Sequence, residues 1–395
     1  MGAGTAQRGA CLLISGKVRK NMEFVVFAGV LLLLFIFMIV QELIQTKNQE
    51  KLFKKYLREN YGKEPPKEYS LERFARLGSY LERHKEEKQL DDITWNDLGM
   101  DEVFRRIDRT YSAAGEEYLY YTLRNISCGR EALEHLEEVV NWLQEQENIK
   151  VRIQLLMKRL GHLGKYSLYD YLDNLDYLGE RSNRKIVLGN LLYLPFLLLL
   201  FVQPAMGTIG IVLCMLWHIM TYFREKKVIE PYIISFAYVL RLIDVCEELE
   251  KQKIPVYRRE LDELREALKS LRELRRGAYW VMAGNQGKIG GNPLDILADY
   301  LRMILHLDIF QFNRMLEKLR KKTGQVETML AITGYLDMAI SVGGFRKSLE
   351  GYCIPKLEED TEKAFLHMKK GWHPLLSQPV KNSIRADRGI LLTGS

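Results

Sequence analysis

The sequence predicts a mainly α-helical protein that carries membrane segments, and three features of its 395 residues support that expectation. An apolar run from Phe24 to Val40 is close to the roughly 20 residues that a spanning helix needs. A second apolar block, Ile186 to Phe223, is split by the uncharged stretch Gln203-Pro204-Ala205-Met206-Gly207-Thr208. Elsewhere apolar residues recur at three- and four-residue steps among charged ones, the pattern of amphipathic helices around a core. A content of 47% hydrophobic and 28% charged residues is globular composition with membrane sequence added. The net charge of +7 is compatible with nucleic acid or an anionic membrane surface and selects neither. Cys11, Cys128, Cys214, Cys246 and Cys353 form no CxxC and have no histidine at metal-ligand spacing, which argues against a disulfide framework or a zinc site.

In chain order, residues 1–21 are a tail without periodicity, and Met22 directly before the apolar run suggests that translation starts there. Residues 22–44 are read as a transmembrane helix. A cleaved signal peptide competes with that reading, but the run is longer than a typical signal core and no small-x-small cleavage site follows it. Residues 45–90 are charge-rich and broken at Pro65-Pro66, with Leu71, Phe74, Leu77 and Leu81 at helical spacing, and are expected to form a linker helix leaving the membrane.

Residues 186–223 are expected to be a transmembrane hairpin of two helices, each of roughly 15 to 18 residues. Arg181, Arg184 and Lys185 precede it, Arg224, Lys226 and Lys227 follow it, and its turn carries no charge, so the positive-inside rule puts both ends on the cytoplasmic side. A helical hairpin buried in a large soluble core is the competing reading, which His218 and the short second helix favour. Three spanning helices in all give a multi-pass cell-membrane protein with most of its chain in the cytoplasm.

The flanking regions, 91–185 and 224–370, are expected to be helical. Phe104 and Ile107 line one helix, Ser112 is a plausible N-cap, and Leu119 and Leu123 line the next. Two charged amphipathic helices follow between Glu131 and Leu160. After the hairpin, Pro231 is expected to open a long helix toward Gln252, with Pro255 ending it. Leu261, Leu264, Leu268, Leu271 and Leu274 then form a seam. The basic residues interleaved with it, Arg258, Arg259, Arg265, Lys269, Arg272, Arg275 and Arg276, share their helix with five acids, which favours a solvated face over a DNA-contacting one. The glycine-rich stretch Gly277 to Asn292 lacks GxxxxGK[ST] and reads as a flexible connection, and helices resume from Pro293 toward Arg320. His84, His135, His162, His306 and His367 read as surface or helix-packing positions, and no catalytic residue or metal ligand set emerges.

Four stretches carry a resemblance. Ile107-Asp108-Arg109-Thr110 with Ser112, Gly115, Leu119 and Leu123-Arg124, then Leu336-Asp337 and Ala339, then Tyr352 to Pro355, then His373-Pro374 in Gly371 to Leu376, resemble the core and the opening of the ATPase domain in the MutS family of DNA mismatch-repair ATPases. The resemblance covers roughly Asp91 to Ser395, interrupted by the hairpin. It implies an all-helical core and lever region followed, at 371–395, by the beginning of an α/β ABC-type ATPase domain. The apolar strand Gly389 to Thr393 running into Gly394-Ser395 would then open a Walker A loop, whose backbone N–H groups cradle phosphates, with the chain stopping just inside that loop. Val380 and Asn382 would lie near the adenine, and His373 would have a structural role.

By the same resemblance the whole protein would be an ATPase using ATP and Mg, a homodimer through its ATPase domain, and a binder of DNA. This stretch alone would not be catalytically competent. The family's mismatch-reading domain has no counterpart, since the only Phe-x-Glu, Phe223-Arg224-Glu225, sits at a membrane edge. The alternative expectation is a membrane-anchored, ATPase-coupled scaffold that binds a protein partner and no DNA.

Overall fold

The computed structural model describes residues 37–38, 40–41, 44–63, 69–86, 88–126, 129–164, 167–275, 293–357, 365–376 and 378–388. The chain forms two compact units, residues 1–60 and 61–395. In the first, residues 44–60 are helical and Lys54 pairs with Glu50 at 2.7 Å. The tail at 1–21 and most of the spanning helix expected at 22–44 lie outside the described residues.

The second unit opens with α1 (Leu71–Arg83), whose N-cap Ser70 accepts from the Arg73 N–H. Then come α2 (Asp92–Asp97), capped by Asp91, α3 (Met100–Ile107), α4 (Ala113–Arg124), α5 (Arg130–Glu145) and α6 (Glu147–Leu160). Within the expected linker at 45–90, α1 belongs to this folded body. Its Leu77 is fully buried in a cluster with Trp95, Phe104 and Leu119, and Phe74 and Leu81 pack beside them. Burying one apolar face against α4 stabilises that segment more than a solvated linker could.

After α7 (Leu168–Asp173), α8 (Arg184–Leu191) and α9 (Tyr193–Val202) form one apolar leg of 19 residues. The leg tightens at Leu192, whose N–H turns to the Asn190 and Gly189 carbonyls just before Pro195, a residue that cannot donate to the helical ladder. The second leg belongs to α10 (Pro204–Glu250), a single helix of 47 residues. Two expectations are corrected here. The turn is Gln203 rather than 203–208, because Pro204 at the first helical position already has a helical φ and lacks only an N–H that would have had no partner. Pro231 lies inside α10 instead of opening a helix. Its ring removes one ladder donor, while buried Ile229 and Ile233 on either side hold the helix in the core. The first leg, starting at Arg184, has 19 residues and is about 28 Å long, close to the thickness of a bilayer core.

Three described helices are long and apolar enough to cross a membrane, and they differ in what covers them. The most apolar windows of Arg184–Val202 and Pro204–Glu250 are 6% and 22% buried, with Leu198, Phe201 and Met220 among the side chains turned outward. The window of Thr323–Ser348 is 72% buried, so protein already surrounds that helix.

The hairpin legs touch through small residues. A Cβ on Gly207 would meet the backbone N of Leu200 at 2.6 Å, and one on Gly210 would fall inside the Phe196 ring. At its charged end, Asn183 donates to the Phe310 carbonyl at 3.0 Å and Asn190 to the Leu305 carbonyl at 3.1 Å. Those amides tie the hairpin to α12 (Pro293–Leu305) and α13 (Leu307–Arg320), which lie beyond α11 (Arg258–Leu271) in the chain. The helical run expected from Pro293 to Arg320 breaks at His306, which takes a left-handed φ of 55°. The leucine seam of α11 is buried, and Leu274, in a 3-10 turn after it, continues it. Helix α14 (Thr323–Ser348) runs through the core against α4, α5, α6 and α11.

The unit ends in an exposed two-stranded antiparallel ribbon, β1 (Leu366–Gly371) and β2 (Asn382–Ala386), which pairs Met368 with Ile384 and Gly371 with Asn382 around a bulge. The connection at 277–292 and the strand expected at Gly389–Thr393 lie outside the described residues.

Candidate functional site

The turn from Ile107 to Ser112 ends α3 and begins α4, so it exposes helix-terminal backbone groups that need partners. Ser112 caps α4 with its own hydroxyl, which accepts from the Gly115 N–H at 3.1 Å. The Ala113 N–H donates to the Gly161 carbonyl at 3.0 Å, and α14 takes the donors just before it. Asp337 Oδ2 accepts from the Tyr111 N–H at 3.0 Å, the Ser112 N–H at 2.8 Å and the Ser112 hydroxyl at 2.6 Å. One turn further along the same face of α14, the Ser341 hydroxyl accepts from the Arg109 N–H at 2.7 Å and donates to the Ile107 carbonyl at 2.8 Å.

Residues four apart on one helix thus hold both sides of a turn more than 200 positions away in the chain. The carboxylate also sits at the positive end of the α4 dipole, which favours its charge. Asp337 is 1% exposed and Ser112 is fully buried, so the bonds form away from water, where an unmade one would be costly.

Close backbone approach makes the clamp possible. A Cβ on Gly115 would lie 2.6 Å from the Asp337 Cβ, and one on Gly334 would lie 2.6 Å from the Ala114 carbonyl oxygen. Any side chain at either position would push α4 away from α14 and lengthen the clamp.

A second layer braces the turn from the other side. Asp108 accepts from the Thr110 N–H at 2.9 Å and the Thr110 hydroxyl at 2.6 Å, and the Tyr69 hydroxyl donates to its other oxygen. Glu116, fully buried on the first turns of α4, accepts from Arg73 Nε at 2.6 Å and Arg76 Nη2 at 2.7 Å on α1. Its neighbour Glu117 accepts from the Ser167 hydroxyl at 2.9 Å. Burial raises the Glu117 pKa to about 8 despite that bond and Arg76 nearby, so this side chain is mostly an uncharged acid at neutral pH.

These groups bond to one another and to backbone, and no nucleophile and base stand together at an opening. Among the described residues no three potential ligands cluster to hold a metal. The arrangement couples α1, α4 and α14.

Of the residues expected at a nucleotide site, Val380 is 75% exposed, and Asn382 is exposed at the start of β2 with its Nδ2 donating to the Val380 carbonyl at 3.3 Å. Neither is enclosed, so the described part of the ribbon does not by itself form an adenine pocket. Gly394 and Ser395 lie outside the described residues. His373 accepts from the Leu375 N–H through Nδ1 at 3.3 Å and so caps the turn after β1. On α11, Arg265 bonds Glu250 and Asp262, Lys269 bonds Glu266, and Arg259 lies 3.5 Å from Glu263, so much of this basic face is matched by its own acids. His306 is buried at its helix break, whereas His367 is exposed on the ribbon.

The clamp was only half visible in the sequence. Ser112 announces itself as a cap, but nothing in spacing pairs it with Asp337. No protein-family model, curated protein or solved structure matches the chain.

Proposed function

We propose that this chain is the membrane-anchored helical body of a MutS-like ATPase, in which nucleotide-driven closure of an ATPase domain beginning at the 371–395 ribbon moves lever helices that engage DNA. The observation that supports the reading is the clamp. The segment from Ile107 to Arg124 and the segment around Leu336-Asp337-Ala339 resemble the family independently, and they bond to each other through Asp337 and Ser112. This joint couples α4 to α14, the helix that precedes the ribbon in the chain.

In this reading ATP and Mg are held beyond the described residues, DNA is the partner, and the protein pairs with a second copy through its ATPase domain. The hairpin, with the apolar run at 22–44, anchors it in the cell membrane with its bulk in the cytoplasm.

A second reading, a membrane-anchored scaffold coupled to an ATPase and binding a protein rather than DNA, is favoured by one observation. The basic side chains of α11 are largely matched by Glu250, Asp262, Glu263 and Glu266, which leaves little unbalanced charge for phosphates.

The test is ATP binding by the gene product purified in mild detergent, followed by DNA binding at rising salt. Nucleotide binding together with DNA affinity that falls steeply with salt supports the first reading. Nucleotide binding without DNA affinity supports the scaffold. Absence of nucleotide binding would overturn both.

A further inference from the structure

Where the two hairpin legs enter the folded body they enclose, with the start of α13, a cleft of about 730 Å³. One end of it is apolar and continuous with the outer surface of the hairpin through Leu188, Leu192 and Trp217, each about half exposed or more. The other end is lined by Arg181, Lys185 and Arg224, Lys185 sharing a helix face with Leu188 and Leu192, and Arg224 lying two turns along from Trp217. Two acids also line it. Glu225 is bound to Arg181 Nη2 at 2.6 Å, which leaves Glu180 against the exposed cations Lys185 and Arg224. Arg181 Nη1 is buried and has no hydrogen-bond partner among the described residues. His306, at the floor, adds no charge at neutral pH, because burial, with His218 beside it, pushes its pKa down to about 4.

A cleft that is apolar along the hairpin and cationic at its charged end matches an amphiphile that carries an anion. We propose that it binds the phosphate headgroup of an anionic phospholipid, with Lys185 and Arg224 facing the phosphate and the acyl chains lying along Leu188, Leu192 and Trp217. Two observations favour a lipid over a soluble anion. The apolar end of the cleft is continuous with the outer surface of the hairpin, and Lys185 lies in the first turn of one leg while Arg224 directly follows the apolar run of the other, which is headgroup depth if the hairpin spans. The proposal rests on the hairpin entering the bilayer, and it does not depend on ATP or DNA.

The experiment reconstitutes the full chain into vesicles of phosphatidylcholine with about 20% phosphatidylglycerol, where each cation near the surface contributes about five-fold in affinity. Alkaline extraction first reports insertion. The protein is then transferred to mild detergent, and retained phosphatidylglycerol is counted by native mass spectrometry. Wild type is expected to keep phosphatidylglycerol in preference to phosphatidylcholine. The double variant K185Q/R224Q is expected to lose that preference by roughly an order of magnitude or more, and K227Q, outside the cleft, is expected to retain it. Equal retention by wild type and the double variant in inserted protein would overturn the proposal. So would displacement of the lipid by millimolar inorganic phosphate, which would mark the cleft as a soluble-anion site. Protein released by alkali would overturn the membrane reading itself, a result separate from loss of lipid preference.

Discussion

Asp337 accepts the Ser112 hydroxyl at 2.6 Å across 225 residues of chain, and the same oxygen takes two backbone N–H groups. A carboxylate used this way stabilises a helix start that local sequence alone caps only once. D337A would leave those donors buried and unmet, and is expected to destabilise the second unit by about 2–4 kcal/mol, read as a lower denaturant midpoint in detergent. An unchanged midpoint would mean that water replaces the carboxylate at no cost.

Glu117 gives the protein a pH dependence of a definite sign. Its folded-state pKa of about 8 lies above the ordinary carboxyl value of 4.5, so the folded state binds the extra proton between these limits. The contribution is full below pH 4.5 and is lost as pH rises through about 8. E117Q, which keeps the shape without the titration, is expected to flatten that decline. Unfolding midpoints at mildly acidic and mildly alkaline pH would check it, and parallel slopes for variant and wild type would contradict it.

Glycine positions separate close packing from open space. G207L is expected to force the hairpin legs apart, because the nearby Leu200 atoms are backbone and cannot swing away. A loss of about 1–3 kcal/mol is the usual cost of such overpacking. G324A meets nothing within 4 Å and should be neutral or slightly stabilising through helix propensity. Thermal aggregation in mild detergent would rank them, and equal values for the two would argue that the legs are not held together.

Helix α11 offers a contrast across its own girth. L264A removes a fully buried side chain from the main core and is expected to cost about 2–5 kcal/mol. R259A, on the solvent face with a 3.5 Å contact to Glu263, is expected to change stability by less than about 0.5 kcal/mol. Denaturant titration of both variants checks the orientation of the helix.

Local physics was legible where it acts over a few residues. The Ser112 cap, the buried seam from Leu261 to Leu274 and the two apolar legs follow from side-chain type and spacing. Prolines misled because their effect depends on surroundings. Pro204 begins a helix directly after Gln203, and Pro231 is carried within one by the buried residues beside it. The place of α1 in the core was hidden because Leu77 reads the same on a linker as on a packed helix. Pairings such as Asp337 with Tyr111 and Ser112, or Glu116 with Arg73 and Arg76, depend on tertiary approach that no periodicity encodes.

The covered state of α14 bears on how the protein is made. By hydropathy this helix rivals a membrane span, and an insertion machinery reading the nascent chain by hydropathy alone would meet a third candidate there. Its main packing partners α4, α5, α6 and α11 are all translated earlier. By the time Thr323 to Ser348 leaves the ribosome, the surface that receives it has already been synthesised, so docking there competes with any diversion into lipid.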